Sequence, residues 1–408
     1  MQFCQVFIDR TYWLSLLKVS IGSHQFAPQD MTPALMQRVR AYAGETIPPV
    51  LVLESGSLIV PAAVMQFARV DCTTNNSIPP MPMVPQNPDF AAWGIKTLDE
   101  LSTRRVVSVG DLHGDMQQAH RVLTSARLVD NAGNWVGGRT IFVQTGDTID
   151  RGPDTIRIME WLEGLKAQAQ RAGGTVILLN GNHELLMLCG DERYVSAYEK
   201  QNTAGMANVR QAFAPATGHL AQLIMRRPIA AQVGDLVFVH GGILPQWAQH
   251  GIPALNQLVA GLVAEYATFK RQHARLDKAQ FAVFGNDGPL WSRFYATNKQ
   301  EAAVCTTLSS ALKTMGASRL VVGHTIQSKG RVHTRCKDKL VMQDVAISRA
   351  FGKQGGNVAF TEFYGNHLRT FDLKGGWQKR NDTKPHLQMT STGGTFEWPA
   401  VQEPLVLV

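Results

Sequence analysis

The chain has 408 residues, 44% of them hydrophobic and 18% charged, which is enough to bury a sizeable core and too apolar for a disordered protein. Lysine and arginine number 40 against 32 acidic residues, a net charge of +8 that suits anionic substrates; no basic block interleaved with aromatics marks a nucleic-acid surface. No apolar run reaches the roughly 18 to 20 residues of a membrane helix, and the best, Val50 to Met65, is broken by Glu54 and Pro61.

Residues 1–100 show no clean periodicity and read as an accessory segment, partly irregular, that ends in the proline-dense connector SIPPMPMVPQNPDF. Cys4 to Arg10 has the C-x5-R spacing of cysteine-dependent phosphatases. Such chemistry needs a loop of backbone amides around a phosphate, and Val6, Phe7, Ile8 and the carboxylate of Asp9, with no glycine, do not make one. The five cysteines, Cys4, Cys72, Cys189, Cys305 and Cys336, are odd in number, far apart and without a C-x-x-C pair. The expectation is no disulfide framework, no thiolate zinc site and a reducing, cytoplasmic compartment. Asp9, Arg10 and Lys18 interrupt the N-terminal apolar run and disfavour a signal peptide, although export stays open.

From Arg104 the chain alternates strand and helix. RRVVSV, Arg104 to Val109, is a strand that runs into GDLHGD, Gly110 to Asp115, followed by a helix with Ala119, Val122, Leu123 and Ala126 on one face. Thr140 to Gln144 is a buried strand ahead of GDTIDRG, Gly146 to Gly152. Pro153 opens a helix carrying Ile156, Met159, Leu162 and Leu165, which Gly173 and Gly174 stop. A third strand, Thr175 to Leu179, leads to GNHE, Gly181 to Glu184. Leu236 to Val239 leads to HGG at His240, and Leu320 to Val322 leads to GHT at Gly323. Helical patterns cover Ala254 to Arg271 and Gln300 to Met315, and Val341 to Ile347 and Val358 to Tyr364 read as late strands. The alternating region is expected over 101–375, with 376–408 a polar tail.

In open α/β sheets ligands bind beyond the carboxyl ends of the strands. Asp111, His113, Asp147, Asn182, His240 and His324 therefore gather on one rim. They are hard and borderline ligands without a thiolate, able to hold two divalent ions if one carboxylate bridges, and Asp147 is placed to do so. Two such ions activate a shared water and neutralise phosphate oxygens, which suits the slow hydrolysis of phosphate esters. His183, beside Asn182, is the candidate general acid, Asp150 its orienting carboxylate, and Arg151 a planar fork for phosphate. Arg293 is a second candidate clamp; a helix cap or a pair with Asp287 is the alternative.

GDLHGD, GDTIDRG, GNHE, HGG and GHT, in this order, resemble the five signature blocks of the metal-dependent phosphoprotein phosphatase family within the calcineurin-like metallophosphoesterase superfamily. GNHELLMLCGDERYV, HGGILPQWAQHG, GPLWSR and RCKDKLVMQDVAISRAFG are similar to its branch of Shewanella-like protein phosphatases. The resemblance spans about residues 101–375. It implies an α/β, calcineurin-like fold, a β-sandwich flanked by helices, with a dimetal site at the C-terminal ends of strands. It also implies two divalent ions, usually manganese or iron, with zinc mixtures open, and direct attack of a metal-activated hydroxide on a phosphoprotein or phosphopeptide. Asp111, His113 and Asp147 would serve the first metal, Asp147, Asn182, His240 and His324 the second, Arg151 (with Arg293 and Asn182) the phosphate, and His183 with Asp150 the proton. Ile326 follows GHT where broader phosphodiesterases carry a second histidine, and no SAPNY-like segment occurs near Arg331 to Leu340. The alternatives are a diadenosine-polyphosphate or other small phosphoesterase, and a metal-binding regulator without turnover.

Overall fold

The computed structural model describes residues 104–379 apart from 202, 216, 272–280, 366, 374 and 375, together with five short strands before residue 60. The chain divides into two compact units, 1–83 and 84–408. In the first, β1 (Cys4–Ile8), β2 (Leu17–Ile21) and β3 (His24–Phe26) form an antiparallel sheet, and β4 (Leu51–Val52) pairs with β5 (Leu58–Ile59). The C-x5-R stretch thus lies mostly in a strand and not in a phosphate-wrapping loop. The proline-dense connector and residues 380–408 fall outside the described residues.

The second unit contains two mixed sheets. The six-stranded sheet has the order β16-β15-β14-β6-β7-β8, from β6 (Arg105–Val109), β7 (Ile141–Gln144), β8 (Thr175–Leu178), β14 (Ala359–Tyr364), β15 (His367–Asp372) and β16 (Gly376–Lys379). Its half β6, β7, β8 is parallel and the β14–β16 half antiparallel. The five-stranded sheet, order β12-β13-β11-β10-β9, comprises β9 (Ala230–Val233), β10 (Leu236–Val239), β11 (Arg319–Val322), β12 (His333–Arg335) and β13 (Leu340–Met342), with β10, β11 and β13 parallel.

Side chains of a strand alternate between faces, and the five-stranded sheet uses both. Leu236, Phe238, Val321 and Val341 join one core with Val106, Phe142, Phe360 and Phe363 of the other sheet, and the rings of Phe238 and Phe363 meet edge to face at 5.9 Å. Val237, Val239, Leu320, Val322, Leu340 and Met342 turn the other way, into a second core filled by helices 219–226, 252–271 and 301–315. Helices 116–125 and 155–171 supply Val122, Leu123, Ile158, Leu162 and Leu165 to the first core. The result is the expected sandwich with helical flanks.

Three expectations change. Val341 to Ile347 is not one strand: β13 ends at Met342, because the Gln343 side chain bonds Ser108 (2.7 Å) and Ala346 takes a left-handed φ of 58°, which no ladder accommodates. The helix behind GDTIDRG begins at Thr155, two residues beyond Pro153. Cys305 and Cys336 form a disulfide, 31 residues apart in sequence. They meet because the helix Glu301–Met315 packs beside the β12–β13 turn, a proximity that linear spacing does not display, and the cysteine-based argument for a reducing compartment falls with it. Among the described residues, no helix is long and apolar enough to cross a membrane.

Phe238, buried between the sheets, tests the sandwich: Phe238→Ala should cost about 3 to 5 kcal/mol in denaturant unfolding, and a loss below about 1 kcal/mol would show that the sheets do not depend on that contact.

Candidate metal centre

Six parallel strands, β6, β7 and β8 of one sheet and β10, β11 and β13 of the other, end on the same edge of the sandwich. The loops that leave them carry Asp111 and His113, then Asp147, Asp150 and Arg151, then Asn182 and His183, then His240, His324 and Asp344. His113, Asp147, Asp150, Arg151 and His324 all have positive φ, from 42° to 69°. Left-handed backbone costs a non-glycine residue about 1 to 2 kcal/mol, so the loops bend against their preference to aim four of these side chains at the centre and that of Arg151 at its mouth.

The carboxylate of Asp147 is the centre. Its Oδ2 lies 3.2 Å from His240 Nε2, 3.7 Å from His113 Nε2 and 3.9 Å from His183 Nε2. His113, Asp147 and His183 form one cluster of ligand-type atoms and Asp147, His240 and His324 another, so Asp147 belongs to both. Asn182 Oδ1 is 2.9 Å from His240 Nε2. Asp111 accepts the backbone N–H of His324 at 3.0 Å, which ties the first block to the last.

The tautomers decide whether this set fits a cation. His113 Nδ1 donates to the Ile149 carbonyl at 3.1 Å, and His240 Nδ1 donates to that of Thr145 at 3.0 Å. His324 Nε2 donates to the Trp291 carbonyl at 3.2 Å. With one ring proton each, the remaining nitrogens are lone pairs, and those of His240 and His324 face each other at 3.1 Å. Two lone pairs and a carboxylate oxygen converging without a proton repel, unless a cation sits among them; carbonyl-fixed imidazoles are how proteins hold metals. Burial pushes the His113 imidazole down to about 3 and that of His324 to about 2, so both are neutral ligands at pH 7. Burial and the charges of Asp344 and Asp147 push the Asp111 carboxyl well up. Burial and Asp147 raise that of Asp344 to about 6. Divalent cations fit this crowded set of carboxylate oxygens, an amide oxygen and imidazole lone pairs.

The candidate proton pair is also assembled. His183 Nδ1 lies 2.8 Å from Asp150 Oδ2, both are buried, and His183 Nε2 is left facing the cluster. Burial lowers the His183 imidazole, but Asp147 and the bond to Asp150 outweigh it, and the net shift is upward. Burial raises Asp150 in turn, against the hydrogen bond from His183. Arg151 is exposed, with its guanidinium 4.3 Å over the Tyr194 ring. Arg293 neither pairs with Asp287 nor points away: it precedes the short helix Phe294–Thr297 and donates to the His324 carbonyl at 2.7 Å and to Thr325 Oγ1 at 3.0 Å.

Sequence reasoning passed over Glu184 and Asp344. Glu184, the last residue of GNHE, accepts the N–H groups of Asp147 (2.9 Å), Thr148 (2.7 Å) and Gly181 (2.7 Å). Its motif position was the available signal. Asp344 is brought in by the loop after β13, where no glycine-flanked motif announces it. Gly181 and Gly323 serve as space: a Cβ on the first would stand 2.2 Å from Asp147 Oδ1, and on the second 2.3 Å from Asp111 Oδ1.

A model of the calcineurin-like phosphoesterase family matches residues 104–328, more than half of the chain. The chain belongs to the calcineurin-like phosphoesterase family. It is 30% identical to Shewanella-like protein phosphatase 2 of Arabidopsis thaliana over 65% of this chain and 77% of the relative. It is 29% identical to Shewanella-like protein phosphatase 1 of Plasmodium berghei over 66% and 72%. Among solved structures it resembles a cold-active protein-tyrosine phosphatase of a psychrophilic Shewanella, with a TM-score of 0.58, 26% identity, and 70% and 81% of the two chains covered. As a member of this phosphoesterase family, the chain is a metal-dependent hydrolase.

Two outcomes test the site. Gly181→Ala should displace Asp147 and lower bound metal below two ions per chain by elemental analysis; two ions at full activity would show that the Gly181 contact does not set the carboxylate. For the proton pair, an acid with a raised pKa keeps its proton to higher pH, so turnover should fall only as pH rises through that value. Asp150→Asn removes the stabilising charge and should move this alkaline limb of kcat to lower pH; an unmoved limb would exclude His183 as the titrating acid.

Proposed function

We propose that the chain is a phosphoprotein phosphatase that hydrolyses phosphomonoesters in one step at a pair of divalent cations, manganese being the expected metal. Asp111, His113 and Asp147 would hold one ion, and Asp147, Asn182, His240 and His324 the other. The observation that carries this reading is the membership of Asp147 in both ligand clusters. When bound, the cations supply an activated water and neutralise charge on the phosphoryl oxygens.

The chain's own residues supply the rest. Asp150 fixes the His183 ring through Nδ1 and keeps its Nε2–H directed at the centre, where it protonates the departing alkoxide or phenoxide oxygen. Arg151 offers an uncommitted planar fork at the mouth, suited to two phosphoryl oxygens, and Arg293 sets a second guanidinium beside the His324 loop. Glu184 holds the Asp147 turn still while charge develops. Phosphotyrosine peptides are the first substrates to compare with phosphoserine peptides and diadenosine tetraphosphate, since the solved relative bears the name of a tyrosine phosphatase.

Chelation should abolish phosphomonoesterase activity and manganese should restore it. His183→Ala should lower kcat by roughly 10²- to 10⁴-fold with metal content kept. Activity that survives chelation, or metal lost together with His183, would overturn these roles.

A further inference from the structure

Two stretches of the chain, GDERYV (Gly190 to Val195) and SRAFG (Ser348 to Gly352), hold no ligand and no proton-transfer group. Both nevertheless reach the mouth of the site, and both do so beside Arg151. The guanidinium of Arg151 makes no hydrogen bond or ion pair among the described residues; what touches it is aromatic. It lies 4.3 Å from the Tyr194 ring centre and 6.0 Å from that of Phe351. The Arg151 backbone N–H also donates to the Tyr194 carbonyl at 2.8 Å.

The rings are themselves held. Tyr194 packs on the His183 ring at 4.9 Å, and Phe351 meets the His113 ring nearly edge on at 5.1 Å. Phe351 sits on a short strap whose Arg349 binds Asp115 through Nε (2.8 Å) and Nη2 (2.7 Å), while Ser348 Oγ accepts the Ala350 N–H. Asp115 also caps the helix Met116–Ser125, so the strap is pinned to the first signature block. Arg193, the other cation near the Tyr194 ring at 5.5 Å, is already bound to Asp191.

A free arginine loses rotamer entropy when it is fixed, and an arginine fixed by a carboxylate surrenders donors. An aromatic face attracts the cation through its quadrupole and uses none of its N–H groups. We infer that Tyr194 and Phe351 form an aromatic brace that orients Arg151 for the phosphoryl group while leaving its fork free. They are positioning residues, and the inference rests on the reading of Arg151 as the phosphate contact.

The test uses the manganese-loaded full chain, with inorganic phosphate as competitive inhibitor of p-nitrophenyl phosphate hydrolysis. Tyr194→Leu and Phe351→Leu should each raise the phosphate inhibition constant and KM about three- to tenfold, with metal content and melting temperature kept. Tyr194→Phe, which preserves the face, should retain wild-type phosphate affinity. In an Arg151→Ala background neither leucine variant should weaken phosphate further. If Arg151→Ala itself leaves the inhibition constant unchanged, the phosphate role of Arg151 fails and the brace with it. If Arg151→Ala weakens phosphate but the leucine variants do not, or weaken it equally without Arg151, the brace alone is overturned. Should Tyr194→Leu fail to fold, Phe351→Leu carries the same comparison.

Discussion

The buried carboxylate of Glu184 fixes the centre on which the site is built. By accepting three backbone N–H groups, from Asp147, Thr148 and Gly181, it joins the loop after β7 to the loop after β8. Those donors sit where no ladder partner exists, and a buried amide without an acceptor costs about 1 to 3 kcal/mol. The same bonds hold Asp147 in its left-handed conformation, with Gly181 close against it. Because both ligand clusters share Asp147, an error in this turn would propagate to both cation positions.

Around that turn the protein gathers groups that resist one another. Asp111, Asp147 and Asp344 are buried together, and the lone pairs of His240 and His324 face each other. Five residues of the site loops with left-handed backbone add strain. Such a centre is held by the two hydrophobic cores beneath it and is completed by cations, so metal affinity and stability draw on the same free energy. The division of labour between the sheets follows. Each contributes three parallel strands, whose ends place first-cluster residues on one side and His240 and His324 on the other.

Most of this edge was legible in the sequence. Short β-branched runs ending in glycine-flanked polar residues located the strands and their loops, and Asp111, His113, Asp147, Asn182, His183, His240 and His324 do converge. What stayed hidden depends on tertiary proximity. Glu184 looks like a helix residue until its three amide partners are known. Tyr194 and Phe351 belong to segments far apart in the chain, and nothing local tells an aromatic brace from core packing. Cys305 and Cys336 are united only by the packing of a helix on a turn. The run from Val341 to Ile347 looked continuous because composition reports apolarity, whereas Gln343 and the backbone of Ala346 end the ladder.

Asp150 and Arg151 are adjacent and both left-handed, with φ of 67° and 69°. The first side chain goes inward to His183 and the second out to the mouth, so one sharp turn divides a buried carboxylate from an exposed cation. Any shift of this turn moves both at once. The placements of the Arg151 fork and of the Asp150–His183 pair are therefore mechanically geared: a change that moves one through this turn disturbs the other, and independent adjustment must come from the surrounding rings and loops.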